Sequence, residues 1–246
     1  MTQRSIIQLS GSDVQSFLQD LVTNDISGIE TGLVYAALLT PQGKYIADFF
    51  LSALGEDVLL DVDADLAPQL TRRLSMYKLR ADVSIAPTDL ILHRGLGPVP
   101  ADGFADPRHA DLGWRAYRSE EPAADDVDWT ALYVDLMVPQ SGAELHGESY
   151  VLEMGFERLN GVDFRKGCYV GQEVTARMKH KTELRKGLAL VSVDGAANPG
   201  AEITADGKSV GTLHTVAQGK ALAYLRFDRA SGAMAADGAK LTLLAR

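Results

Sequence analysis

This 246-residue sequence contains a single cysteine, Cys168, and no long hydrophobic run. One cysteine excludes a framework of internal disulfide bonds, which agrees with a reducing compartment. The best apolar stretch, Leu33 to Leu39, is far shorter than the roughly 20 residues that a membrane helix requires. The first ten residues lack the basic and apolar segments of a secretory signal. We therefore expect a cytoplasmic protein that does not enter a membrane.

The sequence also has few positively charged residues. It contains 24 Lys and Arg residues and 33 Asp and Glu residues, which gives a formal net charge of −9. This balance argues against general nucleic-acid binding, which needs a basic surface. An apolar fraction of 46% excludes a disordered chain. The cations nevertheless concentrate in one segment, which is either a solvated face or a binding surface. This basic island contains Arg165, Lys166, Arg177, Lys179, Lys181, Arg185 and Lys186.

Histidines are few and scattered. Only five are present, and none has the spacing of metal ligands or a visible partner for catalysis. His180 is the nearest histidine to Cys168 in sequence, but no orienting residue accompanies it. We expect structural histidines and no stable metal site.

The first half of the sequence mixes helical and strand patterns. Ser12 begins a capping-box pattern ahead of an apolar helix face that ends near Thr23-Asn24. Strands over Tyr35–Leu39 and Tyr45–Leu51 are predicted to form a hairpin, because Thr40-Pro41-Gln42-Gly43 suits a type I turn. Further predicted elements are a strand over Val58–Val62, a helix over Asp65–Lys78, and strands over Ala81–Ile85 and Leu90–His93.

The second half begins with an exposed acidic loop over Glu120–Asp128 and ends in short strands separated by turn signals. Asp206-Gly207 is a strong hairpin signal, and Ser231-Gly232 predicts another turn. These patterns indicate an α+β body followed by a small β-barrel or sandwich from about Lys186. The predicted strands are Leu188–Val193, Val210–Val216, Ala221–Leu225 and Leu241–Leu244.

The segment around Cys168 is the most specific part of the sequence. Gly167 and Gly171 flank the cysteine, and glycine permits positive φ and close backbone approach. We therefore expect an exposed thiol on a tight turn, although a lone cysteine is commonly a buried apolar side chain. Lys166 and a helix beginning near Gln172 would favour the thiolate.

This segment resembles the K-G-C-Y-x-G-Q-E signature of the YgfZ family of folate-binding, aminomethyltransferase-like proteins, whose mitochondrial relatives act late in iron–sulfur assembly. The match is complete and consists of Lys166, Gly167, Cys168, Tyr169, Gly171, Gln172 and Glu173. Other segments resemble the family in the same order along most of the chain. They are Phe17-Leu18-Gln19, Thr23-Asn24-Asp25, Gln42-Gly43-Lys44, Asp106-Pro107-Arg108, Leu112-Gly113-Trp114-Arg115 and Leu159-Asn160-Gly161-Val162-Asp163-Phe164.

The resemblance implies an α+β aminomethyltransferase-like, folate-binding fold with a ferredoxin-like subdomain and a small C-terminal β-barrel. It implies a discontinuous folate-binding domain over 1–50 and 130–185, a ferredoxin-like domain over 51–129, and a barrel over 186–246. The implied ligand is tetrahydrofolate or a derivative.

The resemblance also implies folate contacts. Asp48 lies where aminomethyltransferases place a catalytic acidic residue, but Gly43-Lys44 and Ala47-Asp48 replace their paired Gly-Gly and Asp-Asp. Asp48 is therefore expected to line or support the pocket. Arg177 and Lys179 are candidates for binding the anionic glutamate tail of folate.

Three functions remain open at this point. The first, which we favour, is an accessory factor for assembly or repair of iron–sulfur clusters in client enzymes, with Cys168 as the functional thiol. A cluster needs four ligands, so Cys168 would share a transient cluster with a carrier, a client protein or glutathione. The second is a folate-dependent aminomethyl or one-carbon transferase. The third is a folate-binding module without catalysis.

Overall fold

A computed structural model describes residues 3–180, 183–230 and 232–246 of the chain, so Lys181 and Ser231 of the sequence patterns lie outside the described residues. The chain divides into two compact units, Met1–Val127 with Glu157–Val174 and Asp128–Phe156 with Thr175–Arg246. The three domain boundaries implied by the resemblance stay a prediction. Among the described residues, no helix is long and apolar enough to cross a membrane.

The first unit confirms most of the elements predicted before residue 120. Its elements are β1 (Arg4–Ser10), α1 (Val14–Gln19), β2 (Val34–Leu39), β3 (Tyr45–Leu54), β4 (Asp57–Asp63), α2 (Ala67–Tyr77), β5 (Ser84–Pro87), β6 (Ile91–Gly95), β7 (Phe104–Ala105) and β8 (Trp114–Arg118). Short 3-10 helices occupy Ser27–Glu30 and Ala110–Leu112.

Two antiparallel sheets organise this unit, in the orders β2-β3-β4-β1-β5 and β6-β8-β7. The predicted β2–β3 hairpin is confirmed, since the Gly43 N–H donates to the Thr40 carbonyl oxygen at 2.8 Å. One face of the larger sheet shares an apolar core with α1 and α2, in which Phe49 and Leu70 are fully buried. Side chains alternate along a strand, so the opposite face of β3 presents Asp48.

Several predicted elements differ in extent, and for the first helix and β5 the contacts at their ends are visible. The first helix ends at Gln19 rather than near Thr23-Asn24, and Asp13 occupies its N-cap position. Ser12 does not cap it, because the Ser12 N–H and hydroxyl both donate to the Asp82 carboxylate at 3.0 and 2.9 Å. Strand β5 begins at Ser84 rather than Ala81, because residues 81–83 complete a turn in which the Ala81 N–H donates to a carbonyl oxygen of residue 78.

The second unit contains the predicted barrel. Its elements are α3 (Trp129–Asp135), β9 (Lys186–Asp194), β10 (Glu202–Ala205), β11 (Lys208–Ala217), β12 (Lys220–Arg226), β13 (Met234–Ala236) and β14 (Ala239–Ala245). The six strands close in the order β10-β11-β12-β9-β14-β13. Asp206 and Gly207 have φ angles of 49° and 72° between β10 and β11, as the turn of a tight hairpin requires, so this hairpin is confirmed.

Candidate functional site

Cys168 lies in an irregular segment that leads into helix α4 (Gln172–His180), and its side chain is exposed. The prediction of an exposed thiol is confirmed, and the alternative of a buried packing residue is wrong. No group of three or more His, Cys, Asp or Glu residues that could hold a metal ion occurs in the described part of the chain.

Lys166 anchors the N-terminal side of this segment. Its ammonium donates to the carbonyl oxygens of Gln19, Val22 and Asn24 at 2.6, 2.6 and 3.0 Å. An ammonium has three N–H groups, so all of them are engaged by carbonyl oxygens rather than by the Cys168 thiol. Burial lowers the pKa of Lys166 to about 8. Unlike Arg165 and Arg177 of the basic island, which are exposed, Lys166 is thus a buried positioning residue.

Segments that are distant in sequence meet beside this anchor. The Thr23 hydroxyl donates to the carbonyl oxygen of Gly161 at 2.6 Å, and the Asn24 amide donates to that of Asn160 at 2.7 Å. The Asn160 amide in turn donates to the carbonyl oxygen of Pro107 at 2.9 Å. Three of the family-like segments are therefore joined by side-chain to main-chain hydrogen bonds.

Gly171 packs the C-terminal side of the segment onto the β2–β3 hairpin. It has a φ of +85°, and a Cβ there would lie 2.7 Å from the Thr40 carbonyl oxygen and 3.1 Å from the Gly43 Cα. A Cβ on Gly43 would lie 2.9 Å from the Cβ of Val174. Only glycine allows this approach. Gly167 lacks a positive φ and has open space around it, so the tight turn expected there is formed at Gly171 instead.

The remaining motif residues complete the frame around Cys168. The side-chain amide of Gln172 donates to the Gly167 carbonyl oxygen at 3.2 Å, which closes the loop around the cysteine. Tyr169 is buried, with the Lys166 ammonium 5.3 Å from its ring centre, a distance typical of a cation–π contact. Glu173 lies in the first turn of α4, where the helix dipole stabilises an anion.

Arg177 and Lys179 are exposed in the last turns of α4. Cations near a helix C-terminus are favoured by the helix dipole, so these two side chains also have a structural reason for their position. They belong to the second unit, whereas Asp48 belongs to the first. The predicted contacts of these three residues with folate stay a prediction.

Asp48 is buried on the polar face of β3 and is only 5% exposed. The Tyr45 hydroxyl donates to its Oδ1 at 2.6 Å and the Tyr35 hydroxyl donates to its Oδ2 at 3.0 Å. Burial raises the pKa of Tyr35 well above its usual value, and the charge of Asp48 adds to the rise. The hydroxyl of Tyr35 therefore stays protonated and acts as a donor to Asp48.

A second buried carboxylate on the same sheet, Asp61, links three strands. Arg4 from β1 donates to Oδ1 of Asp61 at 2.6 Å, while Arg115 and Tyr117 from β8 donate to Oδ2. Burial would raise the pKa of Asp61, but the guanidinium groups of Arg115 and Arg4 hold it below its usual value. Asp61 was not predicted as a functional residue, although a carboxylate within the apolar run Val58–Val62 was a visible signal.

Arg108 and Arg115 both stack on Phe50. Their guanidinium carbons lie 4.8 and 4.0 Å from the ring centre. Arg108 also donates to both carboxylate oxygens of Asp106 at 3.0 and 2.8 Å. The Nε of Arg115 is buried without a hydrogen-bond partner in residues 3–180, 183–230 and 232–246. The polar face of the sheet thus combines aromatic rings with fixed charges.

Comparisons with known proteins identify relatives of this chain. Residues 185–245 match the model of the CAF17 C-terminal β-barrel domain. The chain is 30% identical to the mitochondrial iron–sulfur cluster assembly factor IBA57 of Mus musculus, covering 93% of this chain and 77% of the mouse protein. It is also 30% identical to the mitochondrial IBA57 homolog of Mycosarcoma maydis, covering 80% of this chain, and it spans 57% of that protein's length.

A solved structure shows the same fold. Glycine cleavage system aminomethyltransferase T from Bartonella henselae superposes with a TM-score of 0.79 over 99% of this chain and 83% of that one, at 12% identity. The aminomethyltransferase-like α+β fold predicted from the sequence is therefore confirmed. At this identity the likeness concerns the fold and not the activity.

Proposed function

Because this chain belongs to the IBA57 family of iron–sulfur cluster assembly factors, we propose that it assists the maturation of iron–sulfur enzymes through the thiol of Cys168. The observation that carries this proposal is an exposed thiol on a loop that other residues hold in one position. Lys166 fixes one end of the loop, Gly171 fixes the other, and Gln172 closes it. Because this loop is already held in one position, a partner protein that binds the sulfur loses little conformational entropy from the loop.

The proposed step is ligand exchange on an iron–sulfur cluster that is being transferred, so the cluster is a substrate and not a resident cofactor. A cluster takes four protein ligands, usually cysteine thiolates, and Cys168 supplies one. A carrier protein, a client enzyme or glutathione supplies the others. As the Cys168 sulfur bonds to an iron, one iron–thiolate bond to the donor breaks. The proton released by Cys168 passes through solvent to the departing thiolate, so the exchange is redox-neutral.

The finer assignment to the YgfZ-type branch, with tetrahydrofolate as ligand, is part of the same proposal. It is supported by the complete KGCYVGQE motif and by the donor set around Asp48. A pterin ring has N–H groups that need a buried acceptor and a face that stacks on aromatic rings. Asp48 would accept from those N–H groups, and Tyr35, Tyr45 and Phe50 surround it with aromatic surface.

The same proposal includes the remaining folate contacts and the cellular location of the protein. Arg177 and Lys179 would bind the glutamate tail, because both are exposed cations. The names of the relatives place those proteins in mitochondria. For this chain, a cytoplasmic location stays a prediction.

The thiol is tested by Cys168→Ala in cells that lack the protein. We expect loss of activity of an iron–sulfur enzyme in cell extracts, while the melting temperature stays unchanged, because truncating an exposed side chain costs less than about 0.5 kcal/mol. Asp48→Asn is the comparison variant. Full rescue by stably expressed Cys168→Ala, with failure of Asp48→Asn, would remove the thiol mechanism and favour a folate-dependent aminomethyl or one-carbon transferase.

A further inference from the structure

Helix α2 presents a strip of residues, all exposed except the half-buried Arg73, on the face that points away from the core. Leu70 and Leu74 are fully buried, whereas Met76 is 63% exposed. Arg72 and Arg73 precede Met76 by four and three positions, which places them beside it on the helix surface. Leu79 and Arg80 extend the strip just beyond the helix end. We call these residues the α2 strip: Arg72, Arg73, Met76, Leu79 and Arg80.

In the described ranges of the chain, the three arginines of the α2 strip have no ion pair. Within the part of the chain that the structure describes, no side chain bonds their guanidinium groups. The nearest following carboxylate in sequence, Asp82, is already engaged by the N–H and hydroxyl of Ser12. A protein with a net charge of −9 thus carries a small surface on which three arginines lie close together.

Leu79 stands in an unfavourable backbone conformation. It follows the C-cap residue Lys78 and has a φ of 44°, where helices commonly place glycine because a Cβ is strained. Its side chain is 86% exposed, so burial in this chain does not offset the strain. The fold alone gains nothing from a leucine here. An apolar side chain held outward next to unpaired arginines suits a contact with another molecule.

We propose that the α2 strip binds an acidic segment of a partner protein, whose carboxylates pair with the arginines and whose apolar side chains pack on Met76 and Leu79. Two copies of the strip would oppose arginine with arginine, which disfavours a symmetric dimer. This inference does not depend on Cys168 or on folate.

The probe is a fluorescein-labelled helical peptide rich in Glu with three leucines at i, i+3 and i+7, measured by fluorescence anisotropy with the full chain. Comparison peptides replace every Glu by Gln or every Leu by Ser. We expect the acidic, leucine-bearing peptide to bind at least about tenfold tighter than either, since both kinds of contact are required. Raising the salt concentration should weaken binding, because the paired charges are exposed.

Two variants locate the site on the protein. Leu79→Gly should weaken peptide binding about tenfold yet keep or raise the melting temperature, because glycine accepts a positive φ without strain. Arg72→Glu combined with Arg73→Glu should abolish binding. The matched control is Arg165→Glu, since the Arg165 side chain is 94% exposed in the same unit and outside the strip.

Three results would overturn the proposal. One is no saturable binding of the acidic peptide to the wild-type chain. Another is equal affinity of wild type and Leu79→Gly. The third is a preference for another occupant, seen as tighter binding to phosphatidylserine vesicles or as a dimer in gel filtration that Leu79→Gly dissociates.

Discussion

At the scale of single residues, Lys166 anchors the Cys168 loop through three hydrogen bonds to carbonyl oxygens. Lys166→Met removes a cation that satisfies three carbonyl oxygens, and leaving buried acceptors without a donor costs about 1–3 kcal/mol. We expect urea denaturation to show a fall of that size in the free energy of unfolding. Arg165→Met, which removes a neighbouring exposed cation, should leave it unchanged. Equal effects of the two substitutions would show that Lys166 is not an anchor.

The two glycines of the motif provide a second test at this scale. Gly171→Ala introduces a Cβ that meets the Thr40 carbonyl oxygen and forces an alanine to a φ of +85°, a strain of about 1–3 kcal/mol. Gly167→Ala enters open space and should change stability by less than about 0.5 kcal/mol. Thermal unfolding of both variants measures the difference. A neutral Gly171→Ala would contradict the close packing of the loop on the hairpin.

At the scale of elements, Asp61 ties β1, β4 and β8 together. Asp61→Asn leaves Arg115 and Arg4 short of a buried counter-charge, and breaking a buried pair costs about 3–5 kcal/mol. The folded-state pKa of Asp61 lies below its unfolded value, so its stabilisation is present above about pH 4 and is lost as pH falls further. The unfolding free energies of the wild type and of Asp61→Asn should therefore differ most at neutral pH and become equal at acidic pH.

The matched control for Asp61 is Asp102, which forms a bidentate pair with Arg118 at the surface. Asp102→Asn should change stability little, because solvent screens an exposed pair. A difference between wild type and Asp61→Asn that stays constant down to acidic pH would contradict the assigned linkage.

At the scale of the whole molecule, the complete KGCYVGQE motif and the buried Asp48 cluster carry the proposal that the chain binds tetrahydrofolate. Calorimetry should show saturable binding that weakens with Asp48→Asn, which removes the acceptor charge, and that is kept in Cys168→Ala. Arg177→Ala with Lys179→Ala should weaken binding of the polyglutamyl form more than that of the monoglutamyl form. Absence of heat with either form would remove folate from the proposal and leave the thiol mechanism standing.

The sequence by itself determined the local elements and the site's most specific motif. The β2–β3 turn, the Asp206-Gly207 hairpin, α2 and most barrel strands follow from turn chemistry and apolar periodicity. These signals act between residues a few positions apart, so they can be read without the fold. The family motif likewise identified the segment of Cys168 before its surroundings were known.

Only the tertiary structure decided which distant groups meet. Asp82 binds Ser12, which therefore does not cap α1, Lys166 reaches carbonyl oxygens more than 140 positions away, and Asp61 pairs with arginines over 50 positions away. Periodicity contains no information on such contacts, because they depend on how strands and loops pack. The same reason explains why Gly171, rather than Gly167, proved to be the glycine that the loop requires.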